Sequence, residues 1–493
     1  MRKFSLVFSV FISSVFLYYF GLHYFPDSTV DDAYILYRYA DNLINGYGFR
    51  WNPYGVTADG FTNLFWVLIL SMSSWLTSYP VHEIAPVVGI AVASATCLVC
   101  LIISYRLVPL NKWKWAASFT PILISLSPIF IRHSVSGMGT IAGMFSISLF
   151  VLSATYLPHK IGYIASAFTI FMCFLTRPES VLFCGVFIIS LHFFVSEEPK
   201  EIERPTIYFV IPALSLLSIF FIFRFSYFGH ALPLPFYVKS GDFSWRDGLE
   251  KSLVFISYSS PYVLFSLVYI YIRDKVDTLK NIIISSILGT TFLFLYLLDV
   301  SSVMNYDFRY QSVVLPVFAS ISIPAVIGLK EPSGIYRYIL LILLIYVTVS
   351  NFGLIDKTRD GVWNDRWNRQ GEIAKLISKH DSLVVASTEA GQIGYFSDNK
   401  HIDLTGLNTP SIALRGGKRS MSSADYERFL GSLSNLPDVY MYQTWPHPAN
   451  LDNLSFRNEY TCIKPFPQNT INTCILKSSP KYEYIISSLR SMN

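Results

Sequence analysis

The chain has 493 residues, of which 52% are hydrophobic and 14% are charged, and its formal net charge is +5. Soluble globular proteins carry about 25% charged residues, so this composition excludes a chain whose whole surface faces water. The sequence has no clustered stripe of Lys and Arg of the kind that nucleic-acid-binding proteins use, so we expect no nucleic-acid partner. The composition predicts a protein whose main partner is a lipid bilayer.

The first apolar run follows two basic residues. Arg2 and Lys3 precede the stretch from Phe4 to Phe20, and bulky residues rather than a small-x-small cleavage signal come after it. A secretory signal peptide would end in such a signal. We therefore expect an uncleaved first span with its N-terminus in the cytoplasm.

Further apolar runs approach the roughly 20 residues that a membrane-spanning helix needs. Loops rich in Lys and Arg at 106–114, 273–280 and 330–337 are expected to be cytoplasmic, which places the C-terminal tail outside. Twelve simple spans cannot put the two chain ends on opposite sides, so we expect about 11–13. The candidate spans are 4–25, 61–79, 85–107, 115–132, 138–157, 161–176, 180–196, 207–228, 252–272, 281–299, 311–329 and 336–355, of which 161–176 and 180–196 are the weakest.

The character of the sequence changes after residue 355, where charges and turn residues become frequent. We therefore divide the chain into a transmembrane domain at 1–355 and a soluble α/β domain at 356–493. Within the soluble domain we predict a helix at 367–379 and a buried strand at 382–387, followed by turns at Gly391 and Gly394.

Two cysteines lie in the predicted soluble domain. Cys462 and Cys474 are 12 positions apart, whereas the other four cysteines lie in apolar runs. A disulfide between them fits an oxidising compartment outside the cytoplasm. The alternative is two unrelated free thiols.

The loop 26–60, between the first two spans, contains an amphipathic pattern. Apolar residues recur at helical spacing on one side, and polar residues fill the other, which predicts an amphipathic helix along the membrane surface. Ser28 or Thr29 is expected to cap this helix, and Gly46 and Gly48 to end it. The apolar positions are Ala33, Leu36, Tyr37, Ala40, Leu43 and Ile44, and the polar ones are Asp32, Arg38, Asp41, Asn42 and Asn45.

Asp31 and Asp32 open this helix. A carboxylate at such a position can accept a proton from a sugar hydroxyl or bind a divalent cation. The alternative is that both acids only complement the helix dipole. The sequence demands no cofactor, although a divalent cation is compatible with these acids.

Other clusters of polar and aromatic residues adjoin predicted spans. His230, Tyr237 and Lys239 lie in the loop 224–241, where aromatic rings could stack on sugars and the cation could neutralise phosphate; the alternative is an interfacial aromatic belt with a snorkelling lysine. Arg309 could bind phosphate or be a helix-end charge.

Two more groups of candidate site residues can also be explained by a purely structural role. Arg177 and Glu179 interrupt apolar sequence, where ionisable groups are costly, and are either functional or a self-satisfied ion pair. Asp403 lies within a predicted strand–turn–strand segment of the soluble domain (389–396 and 402–407), for which a purely structural role is the alternative.

Several short segments occur in a characteristic order along the chain. They are Asp31-Asp32-Ala33-Tyr34-Ile35, Arg38-Tyr39-Ala40-Asp41-Asn42-Leu43, Gly46-Tyr47-Gly48, Trp51-Asn52-Pro53, Gly60-Phe61-Thr62-Asn63, Ser136-Gly137-Met138, Thr176-Arg177-Pro178-Glu179, Tyr227-Phe228-Gly229 with Pro233 and Lys239, and Ile402-Asp403-Leu404-Thr405-Gly406-Leu407. Together they resemble bacterial GT-C glycosyltransferases of the terminal arabinofuranosyltransferase-like type. The resemblance spans both predicted domains, and the first loop carries its most specific part.

The resemblance implies an α-helical polytopic membrane protein of GT-C type with a periplasmic or extracellular α/β domain. It implies transfer of a sugar from a polyprenyl-phosphate donor, such as undecaprenyl-phosphate glucose, to an envelope glycan such as O-antigen, on the outer face of the bacterial inner membrane. An inverting mechanism would use Asp31 or Asp32 as the base. The residues expected to bind the donor phosphate or substrate are Arg38, Arg177, Glu179, His230, Tyr237, Lys239, Arg309 and Asp403.

This chain departs from the family pattern at two places. Gly137-Met138-Gly139-Thr140 stands where the family often has Gly-Leu-Glu-Thr, and Pro233-Leu234-Pro235 where it often has Pro-Asn-Thr. Both departures concern the sugar and the acceptor, and we favour a sugar other than arabinose. Two other classes remain: a transporter or flippase of envelope precursors, against which the charge-free centres of most predicted spans argue, and a membrane-anchored binding or sensor protein, for which Asp31 and Asp32 would be dispensable.

Overall fold

The computed structural model describes residues 2–25, 29–109, 111–195, 203–239, 245–273, 277–300, 305–329, 363–380, 382–417, 420–443, 447–466 and 471–492, with single positions between 338 and 349. A bundle of helices forms the N-terminal part, and a sheet with flanking helices forms the C-terminal part. The predicted boundary at 355 lies outside the described residues.

Among the described residues up to 328, fourteen helices build the bundle. They are α1 (Arg2–Tyr24), α2 (Asp31–Ile44), α3 (Leu64–Thr77), α4 (Val81–Leu107), α5 (Phe119–Ser125), α6 (Pro128–Val135), α7 (Thr140–Ala154), α8 (Lys160–Thr176), α9 (Ser180–Val195), α10 (Glu203–Phe228), α11 (Leu234–Lys239), α12 (Trp245–Ile272), α13 (Thr278–Leu297) and α14 (Leu315–Gly328). Short 3₁₀ segments at Asn111–Ser118, Tyr306–Phe308 and Ser312–Val314 precede α5 and α14.

Six of these helical segments are long and apolar enough to cross a membrane, and a seventh is the pair Trp113–Ser125 and Pro128–Val135, bent by 65°. Four shorter apolar helices, α3, α7, α8 and α9, occupy further predicted spans. Together these cover every predicted span except 336–355, most of which lies outside the described residues. The predicted polytopic helical fold with a C-terminal α/β part is therefore confirmed, and the predicted span 115–132 is a broken helix.

Two buried serine hydroxyls of helix α7 bond to the backbone of their own helix. Ser146 and Ser148 in α7 donate to the carbonyl oxygens of Ala142 and Met144, one turn earlier in the same helix. Polar groups in lipid or in a packed helical core need such internal partners. This bonding lets serine-rich apolar sequence form buried helices.

The C-terminal part is a five-stranded sheet in the order β2-β1-β3-β5-β4. The strands β2, β1 and β3 are parallel, β5 pairs antiparallel with β3, and β4 pairs antiparallel with β5. The strands are β1 (Val384–Ser387), β2 (Lys400–Asp403), β3 (Val439–Gln443), β4 (Tyr460–Ile463) and β5 (Ile471–Leu476), and the helices are α15 (Trp363–Ile377), α16 (Gly391–Phe396), α17 (Pro410–Ala413), α18 (Ser423–Gly431) and α19 (Tyr482–Ser491).

Gly391 and Gly394 lie in helix α16, so the predicted strand–turn–strand reading of this segment is wrong. A Cβ at Gly391 would overlap the Asp31 backbone oxygen, and a Cβ at Gly394 would overlap the Trp51 ring. Both glycines therefore serve close packing against the bundle rather than a turn.

The two cysteines of the C-terminal part face each other across antiparallel strands. Cys462 in β4 is the register partner of Cys474 in β5, and a disulfide joins them. Cys97, Cys100, Cys173 and Cys184 are buried free thiols in the bundle.

Helix α2 lies between the two parts of the chain. Its N-cap is Val30, which makes no side-chain capping bond, so the predicted cap at Thr29 is wrong and Ser28 lies outside the described residues. The predicted exposed polar face is also wrong for two of its members, because Arg38 and Asn42 are buried. The physical reason is that the C-terminal part covers Arg38, while the loop after α2 covers Asn42.

Candidate active site

Helix α2 presents its residues to two different neighbours. One set of residues contacts α16 and the segment after it. Its members are spaced three or four positions apart: Asp31, Tyr34, Arg38 and Asp41. Ala33, Tyr37 and Ala40 pack on the bundle around Gly137 and Ser71. Residues at this spacing share one side of a helix, so the two faces follow directly from the sequence periodicity.

Asp32 points elsewhere than Asp31. Its Oδ2 lies 3.7 Å from Nη1 of Arg309, and its side chain is 16% exposed. Arg309 is buried, and it donates to the hydroxyls of Tyr306 at 2.7 Å and Tyr310 at 3.0 Å. This places a partly accessible carboxylate beside a buried guanidinium that two phenols orient.

A second arginine shares the Tyr310 ring. The guanidinium carbon of Arg177 lies 5.2 Å from the ring centroid, and that of Arg309 lies 5.0 Å from it. Arg177 donates to Thr140 Oγ1 at 2.8 Å and pairs with Glu179 at 3.4 Å. Two arginines on one ring form a concentrated positive charge.

This pair of arginines has unused donors. Within the described residues, the buried Nε of Arg177 and the buried Nε of Arg309 make no hydrogen bond. Lys239, half-buried at the end of α11, lies near enough to act electrostatically on the Tyr310 hydroxyl. Unpaired N–H donors beside clustered positive charge are the arrangement that binds phosphate oxygens.

Arg309 follows a turn with unusual backbone geometry. Asp307 and Phe308 have φ values of 49° and 56°, in the left-handed region that bulky side chains rarely adopt. The side chain of Asp307 pairs with Arg132 Nε at 2.7 Å, and its carbonyl oxygen is 2.9 Å from His133 Nε2. Helix α6 thus holds the turn that presents Arg309.

Asp31 is buried between α2 and α16. Its Oδ1 accepts the backbone N–H of Gln392 at 2.8 Å. Burial raises the pKa of Asp31 to about 7, the nearby Asp32 charge adds to this, and the hydrogen bonds from Gln392 and Gly391 oppose it. Asp31 therefore joins the two parts of the chain, whereas Asp32 faces Arg309.

Arg38 lies on the same side of α2 as Asp31 and is also buried. Its guanidinium donates to the carbonyl oxygens of Trp51, Gly394 and Asn399 and to the side-chain oxygen of Asn52. Burial lowers the pKa of Arg38 to about 10, still well above neutral pH. The predicted role of Arg38 in substrate binding stays a prediction, since its donors are engaged in joining α2 to the C-terminal part.

His230 lies in a buried ionic group. Its Nε2 is 2.9 Å from Oδ1 of Asp59, and Oδ2 of Asp59 accepts from Arg224 at 2.5 Å. The Tyr237 ring lies 6.2 Å from the His230 ring. Sequence reasoning missed Asp59, although a lone acid directly before an apolar span signals a buried partner of opposite charge.

Asp403 is fully buried at the end of β2. Its two carboxylate oxygens accept from the backbone and side chains of Thr405 and Asn408. Burial raises the pKa of Asp403, and these hydrogen bonds oppose that rise. Asn408 also accepts from the Tyr39 hydroxyl of α2 at 3.1 Å, so the structure places Asp403 in the contact between the two parts rather than beside the arginines.

An apolar cleft has one wall at Pro178, the residue after Arg177. Together with the solvent at its open side, the cleft has a volume of about 720 Å³. Its walls include Phe236, on the same helix as Lys239. Asp59 and Arg224 reach it from one side. The remaining walls are Phe49, Phe61, Thr62, Leu64, Phe174, Leu175, Phe220, Phe221, Phe223, Phe228, Ala231, Leu232 and Pro233.

The site contains few candidate metal ligands. Among the described residues, no three His, Cys, Asp or Glu side chains come together in a way that could hold a metal ion. Asp31 and Asp32 diverge, and the nearest charged partner of Asp32 is a cation. We therefore derive no step through a metal.

Comparisons with known proteins give a family match for the C-terminal part and structural matches for most of the chain. A family model described as a domain of unknown function (DUF8728) matches residues 362–485, and no curated protein matches the sequence. Three solved membrane-protein structures resemble the whole chain in fold.

The archaeal oligosaccharyltransferase AglB from Archaeoglobus fulgidus, in complex with an inhibitory peptide and a dolichol-phosphate, has a TM-score of 0.57 at 13% identity, covering 90% of this chain and 70% of that one. ArnT from Cupriavidus metallidurans, bound to undecaprenyl phosphate, has a TM-score of 0.60 at 10% identity. The match covers 96% of this chain and 98% of the ArnT chain. The arabinofuranosyltransferase AftD from Mycobacteria has a TM-score of 0.54 at 10% identity, covering 97% of this chain and 40% of that one.

The chain has the GT-C fold. This likeness confirms the predicted fold class. Membership of the terminal arabinofuranosyltransferase-like family within the GT-C proteins stays a prediction.

Proposed function

We propose that the protein is a GT-C glycosyltransferase that moves a sugar from a polyprenyl phosphate to a glycan of the bacterial cell envelope. The observation that supports this most is that Asp32 lies 3.7 Å from Arg309, which shares the Tyr310 ring with Arg177. A carboxylate, a phosphate-binding pair and an apolar cleft are the three elements that such a reaction needs. AglB and ArnT, which have similar folds and were solved with polyprenyl phosphates, also support a polyprenyl-phosphate donor.

The proposed reaction is a single displacement. Asp32 takes the proton of an acceptor hydroxyl while that oxygen forms a bond to the anomeric carbon of the donor sugar. The bond between that carbon and the phosphate oxygen breaks, and its electron pair leaves with the polyprenyl phosphate. Attack opposite to the leaving group inverts the anomeric centre.

The cations stabilise the leaving group. Arg177, Arg309 and Lys239 would contact the phosphate, whose negative charge increases as the sugar bond breaks. Arg309 also lies 3.7 Å from Asp32, so the same guanidinium adjoins both the base and the leaving group. The polyprenyl chain would occupy the apolar cleft that begins beside Pro178.

We place the reaction on the outer face of the inner membrane, with the C-terminal part in the periplasm. The disulfide between Cys462 and Cys474 supports this side, since disulfides persist in oxidising compartments. O-antigen is our proposed acceptor and undecaprenyl-phosphate glucose our proposed donor.

The test uses the full chain in lipid nanodiscs. Binding of undecaprenyl phosphate and transfer from labelled undecaprenyl-phosphate sugars are measured for wild type, Asp32→Asn, Arg309→Gln and Arg177→Gln. We expect Asp32→Asn to lower the transfer rate at least a hundredfold with lipid affinity changed less than threefold, because general-base catalysis contributes about 10²–10⁴ in rate. Each arginine variant should lose at least tenfold in lipid affinity.

Matched controls come from an exposed ion pair in the C-terminal part. Asp452→Asn and Arg457→Gln remove the same charges from a pair 3.0 Å apart, distant in sequence from the site, and should change neither measurement. Failure of the wild type to bind the lipid phosphate would overturn the proposal. Lipid binding with movement of the lipid across the bilayer, and transfer of no sugar, would favour a flippase.

A further inference from the structure

The face of α2 that carries Asp31 is held by the C-terminal part through fixed polar contacts. Asp31 accepts from Gln392, and Arg38 donates to the carbonyl oxygens of Gly394 and Asn399. One helical turn further on, Asp41 bonds the Tyr395 side chain. Three points along one helix face define both its position and its rotation about its own axis.

Packing leaves no free space in this contact. A Cβ at Gly391 would overlap the backbone oxygen and carboxylate of Asp31. The Tyr34 ring lies 5.6 Å from Tyr395 and 5.2 Å from Phe396. Because close-packed contacts are not continuously deformable, α16 must shift if a side chain is added at position 391.

The loop after α2 adds a second anchor. The Asn52 side chain accepts from the His401 N–H at 2.9 Å and donates to the His401 carbonyl at 2.9 Å, so it pairs with the outer edge of β2 as a neighbouring strand would. Trp51 Nε1 donates to Nδ1 of His401 at 3.0 Å. Burial lowers the pKa of His401, which keeps the imidazole neutral and Nδ1 free to accept.

We propose that the C-terminal part is a positioning element of the active site, which sets the rotation of α2 and thereby directs Asp32 toward Arg309. Successive residues of an α-helix are 100° apart around its axis. Once Asp31 is fixed against Gln392, the direction of Asp32 is fixed as well. This proposal rests on the proposed function of Asp32 and assigns a role to the segment matched by the domain of unknown function.

The experiment compares Gly391→Ala with Gly431→Ala in the full chain in nanodiscs. Gly431, in α18 of the same domain, has open space around its Cβ position, so this control adds the same methyl group without a clash. Three quantities are measured: amide hydrogen exchange of α2, affinity for undecaprenyl phosphate, and transfer rate. Arg38→Lys is the second variant, because it keeps the charge and loses the forked contacts.

For Gly391→Ala and Arg38→Lys we expect faster exchange in α2, a transfer rate lowered at least tenfold, and lipid affinity within threefold of wild type. A purely structural defect would lower lipid affinity together with the rate, and that result would overturn the proposal. Unchanged transfer in both variants would overturn it equally. If the wild type neither binds the lipid nor transfers sugar, the proposed function fails. Hydrogen exchange still tests the contact between the two parts in that case: unchanged exchange of α2 in both variants would show that the C-terminal part does not hold α2.

Discussion

Asp31 and Asp32 are adjacent and chemically identical, yet the structure gives them opposite surroundings. Asp31 faces backbone N–H groups in a buried contact, and Asp32, which is 16% exposed, faces the Arg309 guanidinium. The sequence predicts that the pair matters but contains no signal that separates the two residues, because their neighbours lie more than 270 positions away. Only the docking of α16 and of the turn before α14 distinguishes them.

The raised pKa of Asp31 predicts a pH dependence of stability. The carboxyl has a pKa of about 7 in the folded protein, compared with 3.8 as its ordinary value, so the folded state favours the protonated form. This contribution is fully present below pH 4, falls as the pH rises toward 7 and is absent above that. The Asp31→Asn variant has no carboxylate charge to bury at this position. We therefore expect the apparent Tm of the variant minus that of wild type to increase as the pH rises from 4 to 8.

The measurement is thermal unfolding in detergent at several pH values between 4 and 8.5, followed by tryptophan fluorescence. The difference in Tm between Asp31→Asn and wild type removes the contribution of Asp41, whose pKa burial also raises, to about 6. Parallel curves across the whole range would show that Asp31 is already ionised in the folded protein at acidic pH, contrary to this prediction.

At the scale of single elements, the periodicity of α2 is predictable from sequence, and its partner is not. The apolar and polar positions follow the helical repeat as expected, but the polar face meets a domain instead of the solvent. The same holds for Gly391 and Gly394, since a glycine that permits close packing has the same sequence signature as a glycine in a turn.

The turn before α14 should be necessary for phosphate binding. Left-handed conformations of non-glycine residues cost about 1–3 kcal/mol each, so Asp307 and Phe308 need external support. Arg132→Gln removes the ion pair to Asp307. We expect the affinity for undecaprenyl phosphate to fall about tenfold, which corresponds to about 1.4 kcal/mol, because Arg309 loses its fixed position.

Isothermal titration or a lipid-displacement assay with the full chain measures this affinity. Arg428→Gln is the control, since Arg428 forms an exposed ion pair with Asp425 in α18 and contacts none of these residues. An Arg132→Gln protein with wild-type affinity would mean that the backbone alone holds Arg309 in place.

At the scale of the whole molecule, hydropathy predicts the bundle well because each apolar run must become a helix in lipid. It cannot predict which helix ends meet. Arg177 follows α8, Arg309 precedes α14 and Asp32 opens α2, and only the packing of the bundle brings them together. The Asp59–Arg224–His230 group illustrates the same limit, since its members lie in two distant loops and one helix end.

The cleft that adjoins these residues gives the last prediction, which concerns the length of the donor lipid. If the polyprenyl chain lies along its walls, filling the cleft should exclude long lipids and spare short ones. Leu175→Trp places a large ring among Phe174, Pro178 and Phe221. We expect at least a tenfold loss of affinity for undecaprenyl phosphate and less than a threefold loss for a two-isoprene phosphate, because burial of apolar chain contributes about 0.8 kcal/mol per methylene group.

Leu182→Trp makes the same substitution on an exposed position of α9, outside the walls of the cleft, and should alter neither affinity. Equal losses for both lipids in Leu175→Trp would show that the ring disturbs the phosphate site instead of the chain. Wild-type affinity for both lipids in Leu175→Trp would show that the polyprenyl chain lies outside the cleft. The phosphate would then have to approach the arginines from another direction. A loss confined to the long lipid is the result that connects the apolar walls with the charged residues at their edge as a single donor site.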